Sequence, residues 1–229
     1  MQTDPLGQAL IDVQQGQDAP NILVRNRYGS DEDMDPHYLF RAYADMPELE
    51  KKALARCKAQ ILDIGAGAGS HSLYLQEKGL DVQALELSPG ACLVMKQRGV
   101  KKLIKQNFWE HEGEYDSILM LMNGIGLVGD LKGLRIFFKK LKSLLKPDGE
   151  LIFDSCDVAY VYDDIPLPTN RYYGEIEFQM QYKQEIGDWF KWLYIDPVLM
   201  KWEAEKAGFK FEMIGEDSQF QYLASLKLK

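Results

Sequence analysis

The residues best placed to do chemistry in this sequence are a glycine loop and two carboxylates. Ile61-Leu62-Asp63-Ile64-Gly65-Ala66-Gly67-Ala68-Gly69-Ser70-His71 sets three glycines at alternate positions after an apolar run. Glycines at the exit of a strand let the chain turn sharply and let a ligand approach the backbone with no Cβ in the way. In an open α/β sheet, the carboxyl ends of the strands are where ligands bind. The spacing is G-x-G-x-G, with Ser70 where the dinucleotide fingerprint G-x-G-x-x-G has its last glycine. The Gly-Lys-Ser/Thr ending of a P-loop is also missing. Asp63 stands two residues before the loop, where a carboxylate repels a pyrophosphate and attracts an ammonium group. Glu86 ends the next apolar run, Val82-Gln83-Ala84-Leu85-Glu86-Leu87, 17 residues past Gly69. A carboxylate there accepts the two hydroxyl protons of a ribose. The pair reads as recognition of a nucleoside without recognition of a phosphate.

The surrounding pattern supplies the elements that must hold these groups. From Gln60, short apolar runs alternate with helical stretches. Strands are expected at 61–64, 82–87, 101–106, 115–122 and 150–155, with helices at 70–78, 89–98 and 130–146 between them. Gly79 closes the first helix; Ser88 caps the second, with Pro89 at its first position. Pro147-Asp148-Gly149 reads as a turn. This rhythm is that of a parallel sheet flanked by helices. It breaks at 156–170, which read as a loop. Residues 172–183 then alternate strictly: Ile176, Phe178, Met180 and Tyr182 fall on one face, Glu175, Glu177, Gln179 and Gln181 on the other. Glu185–Asp188 is a turn, 189–195 a partner strand, 197–207 a helix capped by Gly208, and 209–214 and 220–228 two final strands. Residues 1–35 are polar, end in Asp31, Glu32, Asp33 and Asp35, and read as a loosely packed lead-in. A helix is expected from Pro36 to about Cys57, broken near Pro47.

Composition bounds the rest. The 229 residues suit one domain with an elaboration. The formal charge of −8 argues against wholesale nucleic-acid binding. Cys57, Cys92 and Cys156 are few, odd in number and dispersed, so neither a disulfide framework nor a metal site is expected, and a reducing cytoplasm fits. No basic start and apolar core of a signal peptide are seen, nor a membrane-spanning run.

The segments LDIGAGAG, ALELSPGA, NFWE, YDSILMLMNGIG and LLKPDGELIFDS, in this order and spacing over residues 58–155, resemble the class I S-adenosylmethionine-dependent methyltransferases. The resemblance implies a Rossmann-like α/β fold. Its seven-stranded, mostly parallel sheet has the order 3-2-1-4-5-7-6 with strand seven antiparallel, and helices on both faces. An N-terminal helical lid (1–57) would precede a cofactor-binding domain (58–229), with a β-hairpin insertion at about 156–195. By position, Gly65, Ala66, Gly67 and Gly69 would line the methionine part of S-adenosyl-L-methionine. Asp63 would hold its amino group, Glu86 its ribose, and Leu87 its adenine. Asn107 and Phe108 fall at the adenine contact, where the family usually has Asp in place of Asn107. Met122 and Asn123 would lie beside the sulfonium and the acceptor. Asn123 is followed by Gly-Ile-Gly rather than Pro-Pro-Tyr/Phe, which argues against a DNA-adenine or glutamine acceptor.

Such an enzyme needs mainly to align its reactants, so no catalytic constellation is required. His71, His37, Tyr28 and Asn123 are the candidates for a chemical role, and Arg41 for a ligand contact; packing is the alternative for each. His111 is expected in solvent. Lys96, Arg98, Lys101, Lys102 and Lys105 form one basic group; a second, Lys132–Lys146, recurs at helical spacing and reads as a solvated helix face. The segment 160–202 carries 11 of the 26 aromatic residues, as core or as an acceptor pocket with Glu175, Glu177 or Asp188. The charge divides into −4 for 1–56, +1 for 57–155 and −5 for 156–229. The expected function is transfer of a methyl group to a small, neutral or cationic molecule, with nucleic acid and membrane not expected as partners. The alternatives are a protein or RNA methyltransferase, a non-catalytic nucleotide-binding module, and a nicotinamide-dependent oxidoreductase.

Overall fold

The computed structural model describes residues 3–163 and 166–229. Its elements in chain order are α1 (Pro5–Gln14), β1 (Ile22–Asn26), β2 (Glu32–Met34), α2 (Glu48–Arg56), β3 (Gln60–Ile64), α3 (Ser70–Glu77), β4 (Asp81–Glu86), α4 (Pro89–Arg98) and β5 (Leu103–Lys105). They continue with β6 (Tyr115–Met120), α5 (Leu131–Leu144), β7 (Leu145–Cys156), β8 (Glu175–Tyr182), β9 (Glu185–Ile186), β10 (Phe190–Leu193), α6 (Pro197–Lys206), β11 (Phe209–Glu216) and β12 (Gln221–Leu228). Seven strands form the main sheet in the order β11-β12-β7-β6-β3-β4-β5, the order that the resemblance implies. The second sheet has the order β10-β8-β1-β2, with β9 paired to β8.

The chain gathers into two compact units. The first comprises Met1–Pro47, Gln60–His111 and Glu177–Phe190. Its strands β3, β4 and β5 run parallel, with Ile61 opposite Val82 and Ala84 opposite Leu103. Ile61 and Leu62 are fully buried, which is why so short a run holds as a strand. Helix α4 starts as its sequence dictates: Ser88 Oγ accepts the Ala91 N–H at 3.0 Å, Pro89 opens the first turn, and left-handed Gly99 closes the last. Ala66, Ala84, Cys92 and Met95 form one core cluster.

The lead-in expected to be loose is instead ordered and packed in this unit. Leu6, Ala9, Leu10 and Val13 recur at helical spacing in α1, and Ala9 and Leu10 are fully buried. Leu10 packs with Ala68, Ala91 and Val94, and Ala9 with Ile22 and Tyr182. Strand β1 pairs antiparallel with β2 and with β8, where Val24 faces Met180. The buried Asp12 accepts from Tyr182 Oη at 2.9 Å and Lys183 Nζ at 2.6 Å. The N-terminal segment therefore contributes a hairpin as well as helices. Before the expected break at Pro47 the helix is two short 3-10 turns, Pro36–Phe40 and Tyr43–Asp45, and after it the helix forms as α2.

The second unit comprises Glu48–Ala59, Glu112–Ile176 and Lys191–Lys229. Strand β6 runs parallel to β7, and β12 lies antiparallel to both β7 and β11. The expected turn at 147–149 is a bulge within β7: Tyr115 faces Leu145, whereas Ser117 faces Glu150. Gly149 is required there, since a Cβ would stand 2.6 Å from the Tyr115 carbonyl oxygen. Helix α5 buries Leu134, Phe137, Phe138, Leu141 and Leu144, and Phe138 meets Phe209 at 5.6 Å between ring centres. Arg56 of α2 bridges Glu150 and Glu212, and both carboxylates raise its pKa.

Candidate functional site

In the first unit, the glycine loop leaves β3 through left-handed backbone at Gly65 (φ 72°), Gly67 (57°) and Gly69 (83°). These conformations are strained for any residue with a Cβ. The three glycines serve different ends. A Cβ at Gly67 would meet nothing within 4 Å, so open space adjoins the loop there. A Cβ at Gly69 would stand 2.9 Å from Met95 Cγ and 3.0 Å from Val100 Cγ2, so packing on α4 also requires that glycine. Gly65 N–H donates to the Leu85 carbonyl at 2.9 Å, tying the loop to β4.

Glu86, at the end of β4, is fixed by backbone donors. Its Oε2 accepts Gly67 N–H at 2.9 Å, and its Oε1 accepts Leu87 N–H at 2.7 Å and Ser88 N–H at 3.0 Å. A carboxylate offers about four acceptor positions, so Oε2 keeps capacity for a ligand hydroxyl. Burial pushes the Glu86 pKa up, and these three hydrogen bonds oppose that shift. Leu87 beside it is 54% exposed and presents an apolar surface. Asp63 is buried and accepts Ser72 Oγ at 2.6 Å. Burial raises its pKa, opposed by the neighbouring His71 and by Ser72. His71 is itself buried. Asn107 is exposed, and its Oδ1 accepts Trp109 N–H at 3.1 Å, capping a 3-10 turn. Phe108 is buried, 4.3 Å from the Trp109 ring.

In the second unit, β6 ends two residues earlier than expected. Met122 (φ 61°) and Asn123 (φ 57°) are both left-handed. Asn123 N–H donates to Asp154 Oδ1 at 2.7 Å, and Gln221 Nε2 donates to Asp154 Oδ2 at 2.7 Å. Asp154 is buried. The Oδ1 of Asn123 is also buried, with no hydrogen-bond partner among the described residues. A buried carbonyl left this way carries a desolvation penalty of about 1–3 kcal/mol until a donor meets it.

The remaining candidates are held by structural partners. His37 is exposed and lies 2.8 Å through Nδ1 from Asp35, which also caps its 3-10 turn. Tyr28 donates to Glu177 at 3.2 Å. Arg41 is buried, bonds the Tyr38 carbonyl and stacks over the Tyr38 ring. His111, expected in solvent, is buried, with Nδ1 3.2 Å from Gln106 Oε1. In the first basic group, Arg98 is half-buried. It donates to the Ala68 carbonyl at 2.6 Å and lies over Phe40. Arg135 pairs with buried Glu203, and Lys146 with Asp116.

Two of the three carboxylates expected beside the aromatic segment have partners of their own. Glu175 accepts Leu131 N–H at the start of α5, and Glu177 pairs with Arg27; Asp188 is exposed. The tyrosines instead meet Asp157 and Asp196: Tyr173 Oη donates to Asp157 at 2.8 Å, and Tyr172 Oη to Asp196 at 2.8 Å. Burial raises both tyrosine pKa values. Asp154 and Gln221 escaped the sequence reading; the one available signal was a lone carboxylate in the apolar run Leu151-Ile152-Phe153-Asp154.

The methyltransferase-domain family matches residues 35–212. A crystal structure of an S-adenosylmethionine-dependent methyltransferase from Bacteroides fragilis, in complex with S-adenosyl-L-homocysteine, is 42% identical, with a TM-score of 0.92. The alignment covers 99% of this chain and 95% of that one. The tRNA U34 carboxymethyltransferase of Idiomarina loihiensis is 27% identical over 49% of this chain and 38% of its own length. The glycine/sarcosine N-methyltransferase of Halorhodospira halochloris is 28% identical over 62% of this chain and 54% of its own. The chain spans about half the length of the curated relatives it matches. The family match over most of its length, with the sheet order and glycine corner described above, makes this chain a member of the class I S-adenosylmethionine-dependent methyltransferase family.

Proposed function

We propose that this domain transfers a methyl group from S-adenosylmethionine to a small, neutral or cationic acceptor bearing an N–H or O–H. The observation that carries the cofactor half is Glu86. It is an ionisable carboxylate fixed by three backbone donors at a strand end, beside a glycine loop with open space at Gly67. This set fits a nucleoside bearing a free ribose. Glu86 Oε2 would accept a ribose hydroxyl, and Leu87 would cover the adenine, with Asn107 and Phe108 on its other side. The Gly65–Gly69 backbone and Asp63 would hold the amino-acid end, where a carboxylate draws an ammonium group.

When bound, the cofactor supplies a methyl already activated by its sulfonium. The chain's own task is then to align the acceptor and exclude water. Asn123 Oδ1 suits the first part: a buried carbonyl with no partner among the described residues can hold an N–H or O–H donor in one orientation. A general base is needed only where the acceptor arrives protonated.

The acidic flanks, −4 over residues 1–56 and −5 over 156–229, support a neutral or cationic acceptor rather than a polyanion. The glycine/sarcosine N-methyltransferase is a relative named for small amino-acid acceptors of no net charge. The tRNA-directed relative favours a second reading, an RNA acceptor. Incubation with methyl-labelled S-adenosylmethionine and separated metabolite, protein and RNA fractions of a cell extract distinguishes them. Label in the metabolite fraction is expected. Label in RNA alone selects the second reading, and no label in any fraction contradicts both.

A further inference from the structure

We infer that Asp4, at the start of α1, is a positioning residue for Glu86, so that the N-terminal helix helps to build the cofactor site. The inference rests on the proposed role of Glu86 toward the cofactor. Asp4 uses both carboxylate oxygens. Oδ1 accepts Gly7 N–H at 2.9 Å and caps α1. Oδ2 accepts Ser88 Oγ at 2.7 Å and Gly90 N–H at 2.9 Å. Ser88 is the joint between the two carboxylates: its backbone N–H donates to Glu86 Oε1 at 3.0 Å, while its hydroxyl donates to Asp4. The same hydroxyl oxygen accepts Ala91 N–H at 3.0 Å and caps α4. The turn Leu87–Gly90, which supplies two of the three donors that fix Glu86, is thus pinned from outside by α1.

The backbone permits this because two glycines meet. A Cβ at Gly90 would stand 2.5 Å from Gly7 Cα, and one at Gly7 would stand 2.6 Å from Ser88 Oγ. Two helices that touch backbone to backbone cannot slide without losing the Asp4 bonds. The contact continues along α1, where Leu10 packs with Ala91, Val94 and Ala68 of the glycine loop. One helix therefore seats both the loop and the turn that Glu86 bridges. Asp4 also satisfies one amide donor, Gly90 N–H, in the first turn of α4, where a negative charge is favoured.

The test is titration calorimetry of the full chain with S-adenosylhomocysteine, in a double-mutant cycle of Asp4→Ala and Glu86→Gln. Asp4→Ala is expected to weaken binding about tenfold in the wild-type background, and less than about twofold when Glu86→Gln is already present. Asp4→Asn, which retains one side-chain oxygen, is expected to lose about threefold and serves in place of Asp4→Ala should that variant not fold. Thermal melts of the same variants separate a loss of affinity from a loss of fold. Unchanged affinity in both Asp4 variants, or an equal loss with and without Glu86→Gln, overturns the inference while leaving Glu86 in place. Unchanged affinity in Glu86→Gln alone overturns the reading beneath it, and the inference with it.

Discussion

The corner around the glycine loop and the corner around Asn123 use the same backbone device to opposite ends. Both follow a buried parallel strand, and both turn through left-handed residues. At the first, glycines make the turn without strain, and Glu86 is bound by three backbone donors. At the second, Met122 and Asn123 make it at a cost of order 1–3 kcal/mol each, and the buried Asn123 carbonyl has no partner among the described residues. The first corner is held in shape by its own backbone donors, which suits the cofactor that defines the family. The second is incomplete, which suits a ligand particular to this chain. Sheet topology supports the former, and local strain supports the latter.

The largest expected effect would break this contrast most visibly. Asn123→Ala should lower methyl transfer to the extract acceptor about 100-fold, with affinity for S-adenosylhomocysteine within about twofold of wild type. An equal fall in both would move Asn123 to the cofactor side. Glu86→Ala should do the reverse and weaken cofactor binding by about 1–3 kcal/mol; calorimetry reads this directly, and an unchanged affinity removes Glu86 from the ribose. Gly90→Ala forces apart the α1 and α4 backbones and should destabilise the fold by about 1–3 kcal/mol, seen as a lower denaturant midpoint.

The smallest effect concerns Asp63. Its raised pKa means that the native state resists its ionisation. Its contribution to stability is therefore greatest below the ordinary carboxylate range and is lost as pH rises through the raised value. Asp63→Asn should melt at or above the wild-type temperature at pH 8 while binding the cofactor more weakly. A clear loss of stability at pH 8, absent near pH 4, would show that the charge holds the fold.

Much of the first corner was legible because each part of it is local. The spacing of Gly65, Gly67 and Gly69, the Ser88 cap with Pro89, and the strand-end position of Glu86 are all written within short windows. The lead-in was misread for a different reason. Its charged end, Asp31 to Asp35, masked the helical spacing of Leu6, Ala9, Leu10 and Val13, and its strand β1, paired locally with the short β2, has its second partner in β8, about 150 residues away. Glu175 and Glu177 looked like a binding wall because alternation places them on one face. Alternation cannot reveal that one caps α5 and the other meets Arg27. Asp154 and Gln221 were invisible because their contacts are distant in sequence, and so was the half of Asp4's bonding that reaches Ser88 and Gly90.

Side-by-side calorimetric titration of the full chain with S-adenosylhomocysteine and with NAD bears most directly on the central claim, that the Glu86 corner recognises a nucleoside without phosphates. Saturable binding of S-adenosylhomocysteine, lost in Glu86→Ala, with no heat from NAD, is the predicted result. Binding of NAD with none of S-adenosylhomocysteine would contradict it.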